Sequence, residues 1–124
     1  MWKDDSLIID LLVASRKIVK FCEGIEKQVF LKDEKTQSAV LYQIAIIGEA
    51  SNKLSEQFRE KNPNVPWKDM IGMRNRLVHD YRNVFLERVW EVIAKDIPEL
   101  LPELEKLEPN QDEFKFNEED DAIE

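Results

Sequence analysis

The sequence predicts an all-α fold, an up-and-down bundle of four main helices whose last member is kinked or broken. Three observations carry that prediction. Apolar residues recur three and four positions apart through most of the first 107 residues, the period of a helix with one buried face. No alternating stretch of strand type and no glycine-rich phosphate loop interrupts them, and no proline occurs before Pro63. At 124 residues and 43% hydrophobic content the chain is long enough to bury one modest core without disulfide or metal. Residues 1–108 are read as one helical domain and 109–124 as an acidic, disordered tail.

Helix one is expected over about 5–28. Asp4, Asp5 and Ser6 offer N-cap oxygens, and Ile8, Leu11, Leu12, Ile18, Val19, Cys22 and Ile25 follow at helical spacing. Gly24 falls inside that pattern, where it costs about 1 kcal/mol against Ala. After a charged link over 32–35, helix two runs from about Asp33 to Phe58 with Val40, Ile44, Ile47, Leu54 and Phe58 in one stripe. Ala45, Gly48 and Ala50 thin its middle and let another helix approach closely, from the same chain or a second copy; packing within one core is the plainer of the two.

Asn62-Pro63-Asn64-Val65-Pro66 ends helix two, because proline lacks a donor and restricts the residue before it. Pro66 suits the first turn of helix three, expected to run to Val78, with Trp67, Met70, Ile71, Met73, Leu77 and Val78 as its apolar surface. Helix four starts near Leu86 and carries Val89, Trp90, Ile93, Ile97, Leu100, Leu101, Leu104 and Leu107. Pro98 and Pro102 lie inside that period, so a break or kink is expected near Asp96 with a restart at Pro98. In the tail the period stops, although Phe114, Phe116 and Ile123 could dock on a partner.

Composition limits function. The opening residues form neither a secretory leader nor a membrane span, so a cytoplasmic protein is expected. The one cysteine, Cys22, reads as a buried thiol, and one His with one Cys cannot make an ordinary zinc site. No cofactor is expected. The net charge of −8 is concentrated in residues 108–124, which carry −7, so residues 1–107 sum to only −1.

The densest collection of reactive groups is Arg74-Asn75-Arg76-Leu77-Val78-His79-Asp80-Tyr81, which contains the only histidine. Asn75 and His79, four apart, share a helix face. Arg74 and His79 stand about 140° apart on a regular helix, so they converge only if the helix ends or distorts around His79, or if they meet across two copies. Metal-free RNA cleavage needs a base for the 2′-hydroxyl, an acid for the 5′-oxygen and positive charge for the transition state. One chain holds one histidine; a two-fold dimer supplies two. The plainer alternatives are a histidine capping a helix C-terminus, solvated arginines and, for Tyr81, a packed ring with its hydroxyl at the surface.

Arg74, four residues, His79, one residue, Tyr81 fits the R-x4-H-x-Y pattern, and with Pro66-Trp67, Ile71-Gly72-Met73, Val89-Trp90 and Asp96-Ile97-Pro98 the chain resembles the HepT-like family of HEPN-superfamily ribonuclease toxins over about 5–107. That resemblance implies an HEPN-like bundle and a homodimeric, metal-independent RNA endonuclease of a type II toxin–antitoxin system, acting on tRNA or mRNA. It implies Arg74 as the phosphate-stabilising arginine, His79 as the catalytic acid or base, and Asn75 with Arg76 in support. It also implies a nucleotidyltransferase antitoxin of the MntA type that adenylylates Tyr81, placing bulk and negative charge in the RNA cleft. The alternative from another class is a non-catalytic helical module that partners a nucleotidyltransferase or binds a nucleotide through Arg74, Arg76 and His79.

Overall fold

The computed structural model describes residues 2–109, the side chain of Trp2 excepted; the acidic stretch 110–124 lies outside the described residues. The described chain is all-α. Its elements are α1 (Trp2–Phe21), α2 (Lys27–Phe30), α3 (Glu34–Lys53), α4 (Glu56–Lys61), α5 (Trp67–His79), a 3-10 turn (Tyr81–Asn83), α6 (Leu86–Glu91), a π-helical segment (Val92–Asp96) and α7 (Ile97–Glu105). The long helices α1, α3 and α5 pack in sequence, and α7 closes the bundle against α1. Their shared core includes Ile8, Leu11 and Ile18 of α1, Val40, Ile44 and Ile47 of α3, Trp67 of α5, and Ile97, Leu100 and Leu104 of α7.

Each expected helix is present, but the first two end earlier than their apolar period suggests. Gly24 is not inside helix one. It takes φ +75, a left-handed backbone that glycine adopts without a Cβ penalty, and it turns the chain into α2. That turn brings Phe30 fully into the core, where its ring lies 5.5 Å from Trp90. Val19, counted with the buried stripe, is exposed instead, whereas Cys22 is buried as expected. Burial first, and then the Asp33 carboxylate, push the Cys22 thiol up from its ordinary value, so it stays protonated and unreactive.

Helix two begins where its capping chemistry places it. Asp33 accepts from the Thr36 amide at 3.1 Å and from its hydroxyl at 2.6 Å, satisfying a donor that the first turn leaves open. It ends at Leu54, whose ψ of 145 is extended. Ser55 then caps the separate helix α4 by accepting from the Phe58 amide at 3.1 Å. Phe58 is therefore on a different helix from the rest of its stripe, half-buried edge-on to Trp67 at 6.4 Å.

The acids expected to cap α1 have another role, since α1 already starts at Trp2 and Asp4, Asp5 and Ser6 lie within its first turns. Asp4 accepts from both the amide (2.9 Å) and the hydroxyl (2.8 Å) of Ser55, tying the start of α1 to the break after α3. This clasp also shows that α3 returns antiparallel to α1. In the last helix the disturbance comes where Pro98 predicts it: Ile97 donates to the Val92 carbonyl, five residues back, and the chain makes a π turn before α7. Arg88 spans that turn with Glu91 at 3.3 Å and Asp96 at 3.0 Å.

Burial alone would raise the Asp4 carboxyl, but the two Ser55 donors outweigh it and hold the carboxyl below its usual range. A depressed folded value contributes stability that is complete above the unfolded pKa of about 3.9 and is lost as pH falls through the folded one. Asp4→Ala should therefore lower unfolding stability at neutral pH by about 1 kcal/mol, with the difference from wild type shrinking in acid. Urea titrations at pH 7 and pH 3 read both.

Candidate active site

The site is built on α5, and α5 is held by α3. Gly48 faces Arg74 so closely that a Cβ built on it would lie 2.1 Å from the Arg74 Cβ and 2.7 Å from the Met70 carbonyl oxygen. Only a hydrogen atom fits between these backbones. The small-residue stretch of helix two thus serves packing within the chain, and the weaker helix propensity of Gly48 is offset by a contact no other residue allows.

From that crossing, the Arg74 side chain runs to two acceptors. Its Nη2 donates to Glu49 Oε2 at 3.1 Å and its Nη1 to Asn75 Oδ1 at 3.0 Å. Asn75 thus links the two faces of α5, because it receives the arginine and stands only about 40° around the helix from His79. The helix neither ends nor distorts before His79; it breaks at Asp80, with φ −149 and ψ 49. Arg74 and His79 therefore remain on different faces of one regular helix, roughly 7.5 Å apart along its axis. Within one chain the structure brings Arg74 and Asn75 together and leaves His79 apart from Arg74.

His79 is exposed at the C-terminal end of α5. Beyond it Asn83 donates its amide to the Asp80 carbonyl at 3.0 Å and its side chain to Asp80 Oδ1 at 2.8 Å, closing the 3-10 turn. That turn carries Tyr81 outward at 69% exposure, so the ring is not packed as its composition alone suggests. Val78, expected on the buried surface of the helix, is 52% exposed and lies one turn beyond Arg74 on the same face.

The four arginines of this region are not equivalent. Arg74 is paired with Glu49, and Arg88 with Glu91 and Asp96. Arg76 and Arg82 are exposed and pair with no acid among the described residues. Arg76 faces a shallow groove of about 340 Å³ that Asn83, Phe85 and Arg88 also line. The sequence marked Gly48 as a point of close helix approach, and the structure bears that out, but nothing in the spacing singled out Glu49; its one signal was its place directly after that glycine. Among the described residues no group of three or more His, Cys, Asp or Glu is arranged to hold a metal ion.

The fold and site define a small all-α protein with an arginine–histidine motif spread over the last two turns of one exposed helix. The particular family follows from comparison: the family model described as "Ribonuclease HepT-like" matches residues 11–107, and the chain belongs to that family. It is 39% identical over 98 residues to a Thermococcus cleftensis protein named "Probable ribonuclease HepT", a match covering 79% of this chain and 89% of that one. It is 35% identical over 100 residues to "Putative RNase MJ1380" of Methanocaldococcus jannaschii, covering 81% and 92%. A Caldanaerobacter subterraneus protein named "Putative RNase TTE0752" is 39% identical over 90 residues, covering 73% and 80%. No solved structure matches the chain. No helix among the described residues is long and apolar enough to cross a membrane.

Gly48→Ala tests the crossing on which the site stands. The change should raise helix propensity by about 1 kcal/mol yet lower unfolding stability by about 1–3 kcal/mol, because α5 has to move off α3. Chemical denaturation measures the sign.

Proposed function

We propose that this chain is a ribonuclease toxin that cleaves RNA without metal, at a site completed by two copies of the chain, and that a nucleotidyltransferase antitoxin silences it by adenylylating Tyr81. Membership of the ribonuclease family supports the RNA-cleaving part. The single observation that carries the two-copy site is the regularity of α5 through His79, which keeps Arg74 and His79 on separate faces. One protomer then presents its fixed cation and its one histidine from separate faces of α5, and a two-fold partner supplies the second histidine that the two proton transfers require.

In this reading one His79 removes the proton of the 2′-hydroxyl, the 2′-oxygen attacks phosphorus, and the bond to the 5′-oxygen breaks. The His79 of the second copy protonates the departing oxygen, so the products are a 2′,3′-cyclic phosphate and a 5′-hydroxyl. Arg74 stabilises the charge that builds on the non-bridging oxygens, where its planar fork matches phosphate geometry. Asn75 holds the arginine, and Arg76 supplies backbone contacts along the strand. The exposed hydroxyl of Tyr81, two residues from His79, is open to a modifying enzyme. Adenylylation there adds a phosphodiester anion and a nucleoside beside the histidine, which repels and obstructs RNA.

Induced expression of the wild-type chain in a bacterial host should arrest growth and yield RNA fragments ending in 2′,3′-cyclic phosphate, and His79→Ala should abolish both while still folding. Intact RNA from folded, unmodified wild-type protein would instead favour the binding-module reading. Tyr81→Phe should remain toxic in the presence of the antitoxin, because the acceptor hydroxyl is gone; growth assays with both genes show this. For RNA binding by the purified protein, Arg76→Ala or Arg82→Ala should lower affinity with little regard to sequence. Each should reduce the slope of log affinity against log salt by roughly 0.7 per lost contact.

A further inference from the structure

Glu49 belongs to no part of the motif, yet among the described residues it is the one acid outside the motif that pairs with one of its arginines. It lies on α3, directly after the glycine that α5 crosses, and its Oε2 accepts from Arg74 Nη2 at 3.1 Å. The arginine is thereby fixed at three points. Its root is pressed against Gly48, one guanidinium nitrogen is taken by Glu49 and the other by Asn75. Of the five N–H donors that an arginine presents, three make no bond among the described residues and remain available to a phosphate.

Stability does not explain such an arrangement. The Arg74 side chain is 29% exposed and that of Glu49 43%, and ion pairs so open to water contribute little to folding. What the pair does change is the freedom of Arg74. A free arginine carries about 2 kcal/mol of side-chain rotamer entropy, which a phosphate would otherwise have to overcome on docking. A carboxylate so near an incoming phosphate is also repulsive, so Glu49 does nothing for the attraction of RNA as such. An acid that opposes substrate charge while fixing the orientation of the charge-stabilising arginine acts on the transition state more than on binding.

We propose that Glu49 is the positioning residue of Arg74, holding its guanidinium in the orientation that meets the scissile phosphate. The proposal rests on the ribonuclease reading for its catalytic consequence, and on α3–α5 geometry for its structural one. Two measurements on the purified full-length protein keep these apart. The first is steady-state cleavage of a short RNA by wild type, Glu49→Ala and Glu49→Gln. Glu49→Ala should lower kcat at least tenfold without raising KM, and Glu49→Gln, which keeps an acceptor oxygen at the same reach, should recover most of the loss. A purely structural role would show as unfolding or as equal damage in both variants, and overturns the proposal. Cleavage by Glu49→Ala at or above the wild-type rate also overturns it, because Glu49 would then be only a counter-ion that RNA displaces.

The second is NMR of the Arg74 guanidinium, which needs no RNA. Rotation about its Nε–Cζ bond should be hindered in wild type and in Glu49→Gln and fast in Glu49→Ala. Wild-type protein that leaves RNA intact overturns the ribonuclease reading alone. Equally fast rotation in wild type and Glu49→Ala overturns the positioning role, whatever the activity.

Discussion

Where α5 crosses α3, the space between the two backbones holds a hydrogen atom and nothing larger. Gly48 sets that spacing, and most of what matters about the molecule is measured from it. Because Met70 and Arg74 press on the same glycine, the depth and rotation of α5 are fixed together. The helix cannot slide by a turn without driving a side chain into α3. Trp67 anchors one end of α5, buried and donating through its indole to the Asn62 carbonyl at 2.9 Å. Asp80, clamped by Asn83, ends the other. The motif residues are therefore presented by a rigid rod, which is the condition for placing a charge to within a fraction of an ångström of a phosphate.

The fold class was legible because apolar period and proline placement act locally and agree. The buried faces of α3 and α7 follow the periodic residues closely, and Pro98 marks the π turn to within a residue or two. The errors fall where a local choice competes with the period. Gly24 could continue a helix at a cost or end it with a left-handed turn, and the stripe carrying on to Ile25 favoured the wrong option. Leu54 kept the spacing of α3 while its backbone turned extended, because Ser55 caps a new helix and its amide and hydroxyl are claimed by Asp4, 51 residues away. A tertiary bond of that kind leaves no trace in periodicity.

The candidate site was legible to a different degree. The identities of Arg74, Asn75, His79 and Tyr81 stand out by density, and the wheel angle between Arg74 and His79 needs only arithmetic. That α5 would remain regular through His79 was not decidable, since the same residues could have frayed one turn earlier. Glu49 was hidden for another reason. It is one of 26 acids in the chain, with no motif spacing to mark it, and only the crossing at its neighbour turns it toward the arginine. Sequence shows which groups are present near a site; the spacing of helices decides which of them face one another.

The contacts of this bundle lie largely between helices that follow each other in the chain, α1 with α3 and α3 with α5. The exception is α7, which returns to α1 and places Glu105 beside Arg16 across 89 residues of sequence. Structures dominated by near-neighbour contacts fold fast, because little loop-closure entropy is spent before native contacts form. The α1–α3–α5 layer, with the Gly48 crossing and the arginine in it, is built from the first two thirds of the chain alone, and α7 closes the core across the longest loop.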